Sequence, residues 1–140
     1  MKILFFIPLL FVCSMGIGQS TKIIGTPIKI GKLEVAQFDF PEKDGYPKIM
    51  TWNEAKKVCA NLGSGWRLPT KDELNLLYTN KNKIGGFSSD TMDGYWSSTE
   101  DSIYFEDGGY GAWAQFFENG FQEGLGKISP LYVRAVRTIN

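Results

Sequence analysis

The sequence predicts an α+β fold in a single domain, and three observations carry that expectation. Two capping boxes, Thr51-Trp52-Asn53-Glu54 and Thr70-Lys71-Asp72-Glu73, announce two helices in the middle of the chain. Period-two runs stand before and after them, at residues 28–40 and 130–138. An Asn119-Gly120 turn signal sits between two further short runs, which marks a hairpin. A length of 140 residues supports one hydrophobic core, and 14% aromatic residues with 16 glycines point to a loop-rich fold held by large side chains.

The first eighteen residues are expected to be an address rather than structure. Lys2 supplies a positive charge, an apolar run extends from Ile3 to Cys13, and small residues follow up to Gly18. The run is too short to span a bilayer, which takes about 20 apolar residues. Residues 1–18 therefore read as a signal peptide, with Gly16 and Gly18 before a cut that leaves Gln19 first. An uncleaved anchor and a lipid on Cys13 are the alternatives, and bulky Val12 argues against the second. The expected location is thus exported: periplasm, cell surface or medium. Residues 19–31 form a short lead and residues 32–140 the folded domain. After cleavage Cys59 is the single cysteine, so packing and not a disulfide must hold the mature chain.

Taken in order, residues 28–40 are expected to be one strand, broken or bulged at Gly31. Leu33, Val35, Gln37 and Asp39 alternate there with Glu34, Ala36, Phe38 and Phe40. A turn-rich loop follows at residues 41–47. The first helix has Trp52, Ala55, Val58, Cys59 and Leu62 as its buried stripe and stops at Gly63. The second, shorter helix buries Leu74, Leu77 and Tyr78. Between them, Gly65-Trp66-Arg67-Leu68-Pro69 is too stiff and too aromatic for a linker. Residues 81–111 are expected to be long loops carrying one strand at 95–99. In the hairpin, Asn119-Gly120 as a two-residue turn pairs Gln115 with Gly124 and Ala114 with Leu125. Because burying Glu118 and Glu123 is costly, Trp113 and Phe117 should point inward. Phe116, Phe121 and Leu125 are then left near solvent.

Composition removes several functions. There is no histidine, which excludes Ser-His-Asp and Cys-His catalysis and His-ligated zinc. Fifteen basic against fifteen acidic residues leave no general attraction for nucleic acid. Asp90, Asp93, Glu100, Asp101, Glu106 and Asp107 offer oxygen ligands for calcium, but their spacing matches no calcium loop, so a solvated loop is the plainer reading. No metal or other cofactor is expected. Cys59 lies in the apolar stripe, as an inert thiol would. Trp52, Trp66, Pro69, Trp96 and Trp113 are expected to pack the interior, Thr51 and Thr70 to cap helices, Arg67 to pair with a nearby carboxylate, and Arg134 and Arg137 to protect an edge or form ion pairs.

Four motifs occur in a telling order: Met50-Thr51-Trp52-Asn53-Glu54-Ala55, then Gly65-Trp66-Arg67-Leu68-Pro69-Thr70 with Glu73-Leu74, then Tyr95-Trp96-Ser97-Ser98-Thr99, then Val133-Arg134-Ala135-Val136-Arg137. The set resembles the Lcl C-terminal domain, found in bacterial collagen-like surface proteins, and covers roughly residues 32–140. That family looks like a bacterial branch of the C-type lectin-like fold. The resemblance implies paired first and last strands, a small second antiparallel sheet, and binding by the loops between the second helix and the last strand. The Glu-Pro-Asn, Gln-Pro-Asp and Trp-Asn-Asp tripeptides of calcium-dependent lectins are absent, as is the cysteine pair of the formylglycine-generating enzymes that share the fold.

The expected function is a secreted or cell-surface binding module without catalysis, taking a glycan or an envelope or extracellular protein. Its contact residues are expected to be Tyr104, Tyr110, Phe116, Phe121 and Glu123, where aromatic side chains crowd among acids and glycines. Membrane contact is expected only through an uncleaved signal or a lipid. The alternative is an exported structural component of the envelope that binds no small ligand.

Overall fold

The structure, a computed structural model, describes residues 22–107 and 109–140. The expected signal peptide at residues 1–18 and the first residues of the lead lie outside them. Among the described residues no helix is long and apolar enough to cross a membrane.

The strand expected at residues 28–40 is a tight hairpin instead. β1 (Ile28–Ile30) and β2 (Leu33–Val35) pair antiparallel with Ile30 opposite Leu33. Gly31 supplies the turn at a φ of 59°, a left-handed conformation that costs glycine least. The alternation persists through Leu33 and Val35 and ends at Ala36, which is buried beside them.

α1 (Trp52–Asn61) and α2 (Lys71–Thr79) both carry their expected capping boxes, with the threonine side chain accepting from the third amide and the glutamate reaching back. Trp52, Ala55, Cys59 and Leu62 are buried along α1, and Leu74 and Leu77 along α2. A further short helix, α3 (Lys81–Ile84), follows where loop was expected. It stops at Gly85, whose φ is 78°.

The second sheet is larger than its sequence signals. β3 (Gly94–Phe105) runs twelve residues, β4 (Gly109–Phe116) eight and β5 (Gln122–Leu125) four, in the order β3-β4-β5. Much of the region read as loop at residues 100–111 is therefore a two-stranded arm. The β4–β5 register also differs: Gln115 faces Gln122 and Ala114 faces Glu123. Phe116 closes the turn by donating its amide to the Phe121 carbonyl at 2.9 Å. The loop is thus longer than Asn119-Gly120 alone, and each strand slips by one residue. That slip keeps the same residues together on each face. It does not expose one of them: Ala112 and Ala114 pack in one cluster, while Gln115 on the opposite face is fully buried against α2.

β6 (Val136–Thr138) completes the first sheet in the order β1-β2-β6, so the last strand pairs with β2, the second arm of the N-terminal hairpin, with Glu34 opposite Arg137. The expected long final strand is mostly irregular. Residues 131–136 nevertheless alternate: Leu131, Val133 and Ala135 join the cluster of Trp52, Trp66 and Trp96, and Val136 and the partly buried Tyr132 join that of Leu74, Leu77, Tyr95 and Phe117. This segment is hydrogen-bonded to Met50, Gly94, Trp96, Ala36 and Arg67 in turn. It stitches both halves of the molecule.

Candidate functional site

Of the aromatic side chains expected to pack the interior, Trp52, Trp66 and Trp96 are buried and Trp113 is half-buried. Trp66 and Trp96 are 4% and 0% exposed, and the Trp96 indole donates to the Met50 carbonyl at 3.0 Å. Trp52 donates to the Ser97 carbonyl, and Pro69 is buried. Trp113 is half-buried under the Lys71 ammonium, 3.1 Å from the ring centroid. Arg67 forms a fork with Glu73 at 2.7 and 2.9 Å and also donates to Thr138. Arg137 pairs with Glu34 across the strands.

Arg134 is the exception to an edge role. It is buried completely, outside any strand, and its Nε donates to Asp39 at 2.6 Å. Its remaining N–H groups reach the carbonyls of Ala36, Gln37, Gly85 and Gly86. Tyr95 donates to the other Asp39 oxygen at 2.7 Å and accepts from the Ser88 amide. Burial pushes the Asp39 carboxyl up, against the pull of Arg134 and Tyr95, and pushes the Tyr95 phenol up as well. Both Asp39 oxygens are committed. The network ties the 36–39 and 85–88 segments together, and two open clefts of about 320 Å³ flank Gly86 on either side of it.

The expected contact residues separate into two places. Tyr104 and Tyr110 face each other across the arm, 66% and 58% exposed, with ring centroids 5.6 Å apart and planes at 85°. Ile103 beside them is also exposed. Phe121 is exposed too, but it lies in the turn at the far end of β4. Six residue steps along β4 separate Tyr110 from Phe116, roughly 20 Å at about 3.4 Å each. One continuous surface made from all five residues is therefore ruled out. Phe116 is not a solvent anchor either: it is half-buried, its ring lies against Gly94, and a Cβ on that glycine would meet it at 3.2 Å. Glu123 is exposed opposite Ala114.

Ile103 escaped the sequence reading although a signal existed. Ser102-Ile103-Tyr104-Phe105 favours strand, and Asp107-Gly108 is a hairpin turn signal like Asn119-Gly120. On the face shared by Tyr104 and Tyr110, Glu100 holds Lys127 at 2.7 Å, and Lys127 and Lys56 both lie over Trp52. The opposite face carries Asp101, buried with one carboxylate oxygen lacking a hydrogen-bond partner. It packs where a side chain on Gly124 would stand. Among the described residues no group of three acids or cysteines is close enough to hold a metal ion. Burial holds the Cys59 thiol up at about 12, which leaves no thiolate near neutral pH.

Two three-stranded antiparallel sheets, a last strand paired with the N-terminal hairpin and two central helices define a C-type lectin-like α+β fold. Solved structures agree on the fold. Botrocetin matches at 12% identity with a TM-score of 0.54, over 80% of this chain and 95% of that one. A botrocetin chain in complex with a mutant von Willebrand factor A1 domain matches at 13% and 0.52, over the same shares. EMS16, an antagonist of the collagen receptor integrin α2β1, matches at 11% and 0.53, over 80% and 96%. The chain belongs to the Lcl C-terminal domain family, whose model matches residues 34–137. No curated protein sequence matches it.

Proposed function

We propose that this protein is an exported, non-catalytic binding module that captures a protein ligand with the arm formed by β3 and β4. The observation that carries this reading is the distribution of aromatics. The domain buries Trp52, Trp66, Tyr95, Trp96 and Phe117, yet leaves Tyr104 and Tyr110 more than half exposed as a paired platform beside Ile103. Rigid aromatic area at low entropic cost is what protein-binding loops use. The solved neighbours lend support, since one is seen with von Willebrand factor and another antagonises an integrin. Export is supported by the signal-like residues 1–18. The absence of a catalytic role is supported by the committed Asp39 carboxylate and the un-ionised Cys59 thiol. No cofactor is assigned to it.

The test is capture of partners from envelope extract and culture medium by the wild type and by Tyr104→Ser/Tyr110→Ser. A protein retained by the first and lost by the second supports the proposal. Equal capture overturns the assignment to the arm. Tyrosine faces also stack on sugar rings, so a glycan-array signal lost in the double variant moves the ligand from protein to glycan. N-terminal sequencing should find the exported form beginning at Gln19 or within about two residues of it. An intact Met1 in exported material removes the cleaved signal.

A further inference from the structure

The chain is neutral as a whole and polarised in its parts. Eight of its fifteen acids and none of its fifteen bases lie between Ile84 and Gly126, so the remainder holds fifteen bases against seven acids. That stretch contains all three strands of the second sheet. Packing against the rest of the molecule repairs little of the imbalance. Among the described residues one of the eight acids is in an ion pair, Glu100 with Lys127, and Asp101 is buried. Glu106 and Asp107 are exposed in the turn that follows β3, and neither pairs with a base.

Carboxylates alone do not define a site, since an acidic loop is well served by water. The tip of the arm differs in the aromatic area beside them. Tyr104 stands two residues before Glu106, and Tyr110 faces it across the ladder. The two rings meet edge to face and form a corner, and each is more than half exposed. An open aromatic face attracts a cation, arginine most often, and a carboxylate within reach adds a charge-assisted hydrogen bond. The chain completes this arrangement once within itself, on the same face of the sheet. There the Lys127 ammonium lies 4.3 Å from the Trp52 ring centroid and holds Glu100 at 2.7 Å. At the tip, rings and carboxylates stand together without a lysine or arginine of this chain among the described residues.

We propose that the ligand of the arm is a basic protein segment, which lays lysine or arginine side chains on Tyr104 and Tyr110 and pairs them with Glu106 and Asp107. That chemistry rests on the assignment of capture to the arm and adds the charge of what is captured. Ile103, exposed beside the tyrosines, offers apolar surface to the aliphatic stems that such side chains carry. The acidic sheet steers a positive partner toward this part of the molecule, so the association rate falls as salt rises.

A fluorescein-labelled hexa-arginine peptide is the probe, and hexa-glutamate with the same label is the control. By fluorescence anisotropy the protein should bind the first saturably and not the second. Glu106→Gln/Asp107→Asn keeps both tyrosines and should weaken hexa-arginine about tenfold. Asp90→Asn/Glu118→Gln removes the same charge elsewhere in the acidic stretch and should stay within about twofold of the wild type. All four side chains are exposed and outside the ion pairs, so both variants should melt with the wild type. No binding of hexa-arginine, equal binding of hexa-glutamate, or equal loss in the two variants overturns the proposal. Capture from envelope extract separates it from the functional reading. A partner lost from Tyr104→Ser/Tyr110→Ser but kept by Glu106→Gln/Asp107→Asn leaves the arm standing and overturns the basic ligand. A partner lost from both variants supports both readings, and one lost from neither removes the arm and this ligand with it. Self-association abolished by Glu106→Gln/Asp107→Asn would make the basic segment part of a second copy, and overturns the separate partner assigned here.

Discussion

Arg134 and Asp39 lie inside the protein because every polar atom of the pair has a use. The side chains are 0% and 2% exposed, and the guanidinium holds four backbone carbonyls as well as the carboxylate. Removing one member strands the other, so Arg134→Met should cost about 3–5 kcal/mol in denaturant unfolding. Arg134→Met/Asp39→Leu should recover part of that loss, since no uncompensated charge remains. If the double variant is no better than the single, the carbonyl contacts and not the charge dominate. The carboxylates also respond oppositely to pH. Asp39 is held above its ordinary value, so its contribution is fully present below the unfolded value and is lost as pH rises through the folded one. Burial raises Glu73 too, but the bonds from Arg67 and Thr70 outweigh it and leave Glu73 low. Its contribution is present above the usual carboxylate range and is lost as pH falls through the folded value. Glu73→Gln should therefore flatten the acid limb of a stability–pH profile; an unchanged limb would show that the pair contributes nothing.

The helices were legible at the level of elements and the second sheet was not, for a physical reason. A capping box is a local device whose partners lie three residues apart, so Thr51 and Thr70 declare themselves in the sequence. A strand edge is settled by what lies across it. Residues 100–105 look like loop until Gly109 to Ala112 are set beside them, and the β4–β5 register depends on a turn bond from Phe116 to Phe121. The binding residues suffered in the same way: five side chains close in sequence sit at two ends of one strand. Sheet packing yields its own prediction at Gly124. A Cβ there would fall 1.7 Å from a carboxylate oxygen of Asp101, which is buried and cannot swing away freely. Gly124→Ala should destabilise by about 1–3 kcal/mol through overpacking. Asp101→Ala/Gly124→Ala should melt above Gly124→Ala alone. Equal melting would place the strain in the backbone.

Two buried clusters make up the molecule, and the segment from Leu131 to Val136 serves both. Val133 is fully buried among the tryptophans, and Val136 is fully buried among Val35, Leu77, Tyr95 and Phe117. Because neighbouring residues of one chain enter different clusters, loosening either cluster pulls on the backbone that anchors the other. The Arg134 network strengthens the link, since the residue between Val133 and Ala135 pins both the 36–39 and 85–88 segments. The two clusters should unfold as one cooperative unit, as small domains usually do. Val133→Ala and Val136→Ala should each cost about 1–3 kcal/mol, in keeping with loss of buried aliphatic area. In each variant, tryptophan fluorescence, three of whose four emitters (Trp52, Trp66 and Trp96) lie in the first cluster, and far-ultraviolet circular dichroism should trace the same denaturant transition. A fluorescence transition that stays at the wild-type midpoint in Val136→Ala, while ellipticity falls earlier, would mean that the clusters melt separately. The terminal segment would then be a contact shared by two units and not the tie that makes them one.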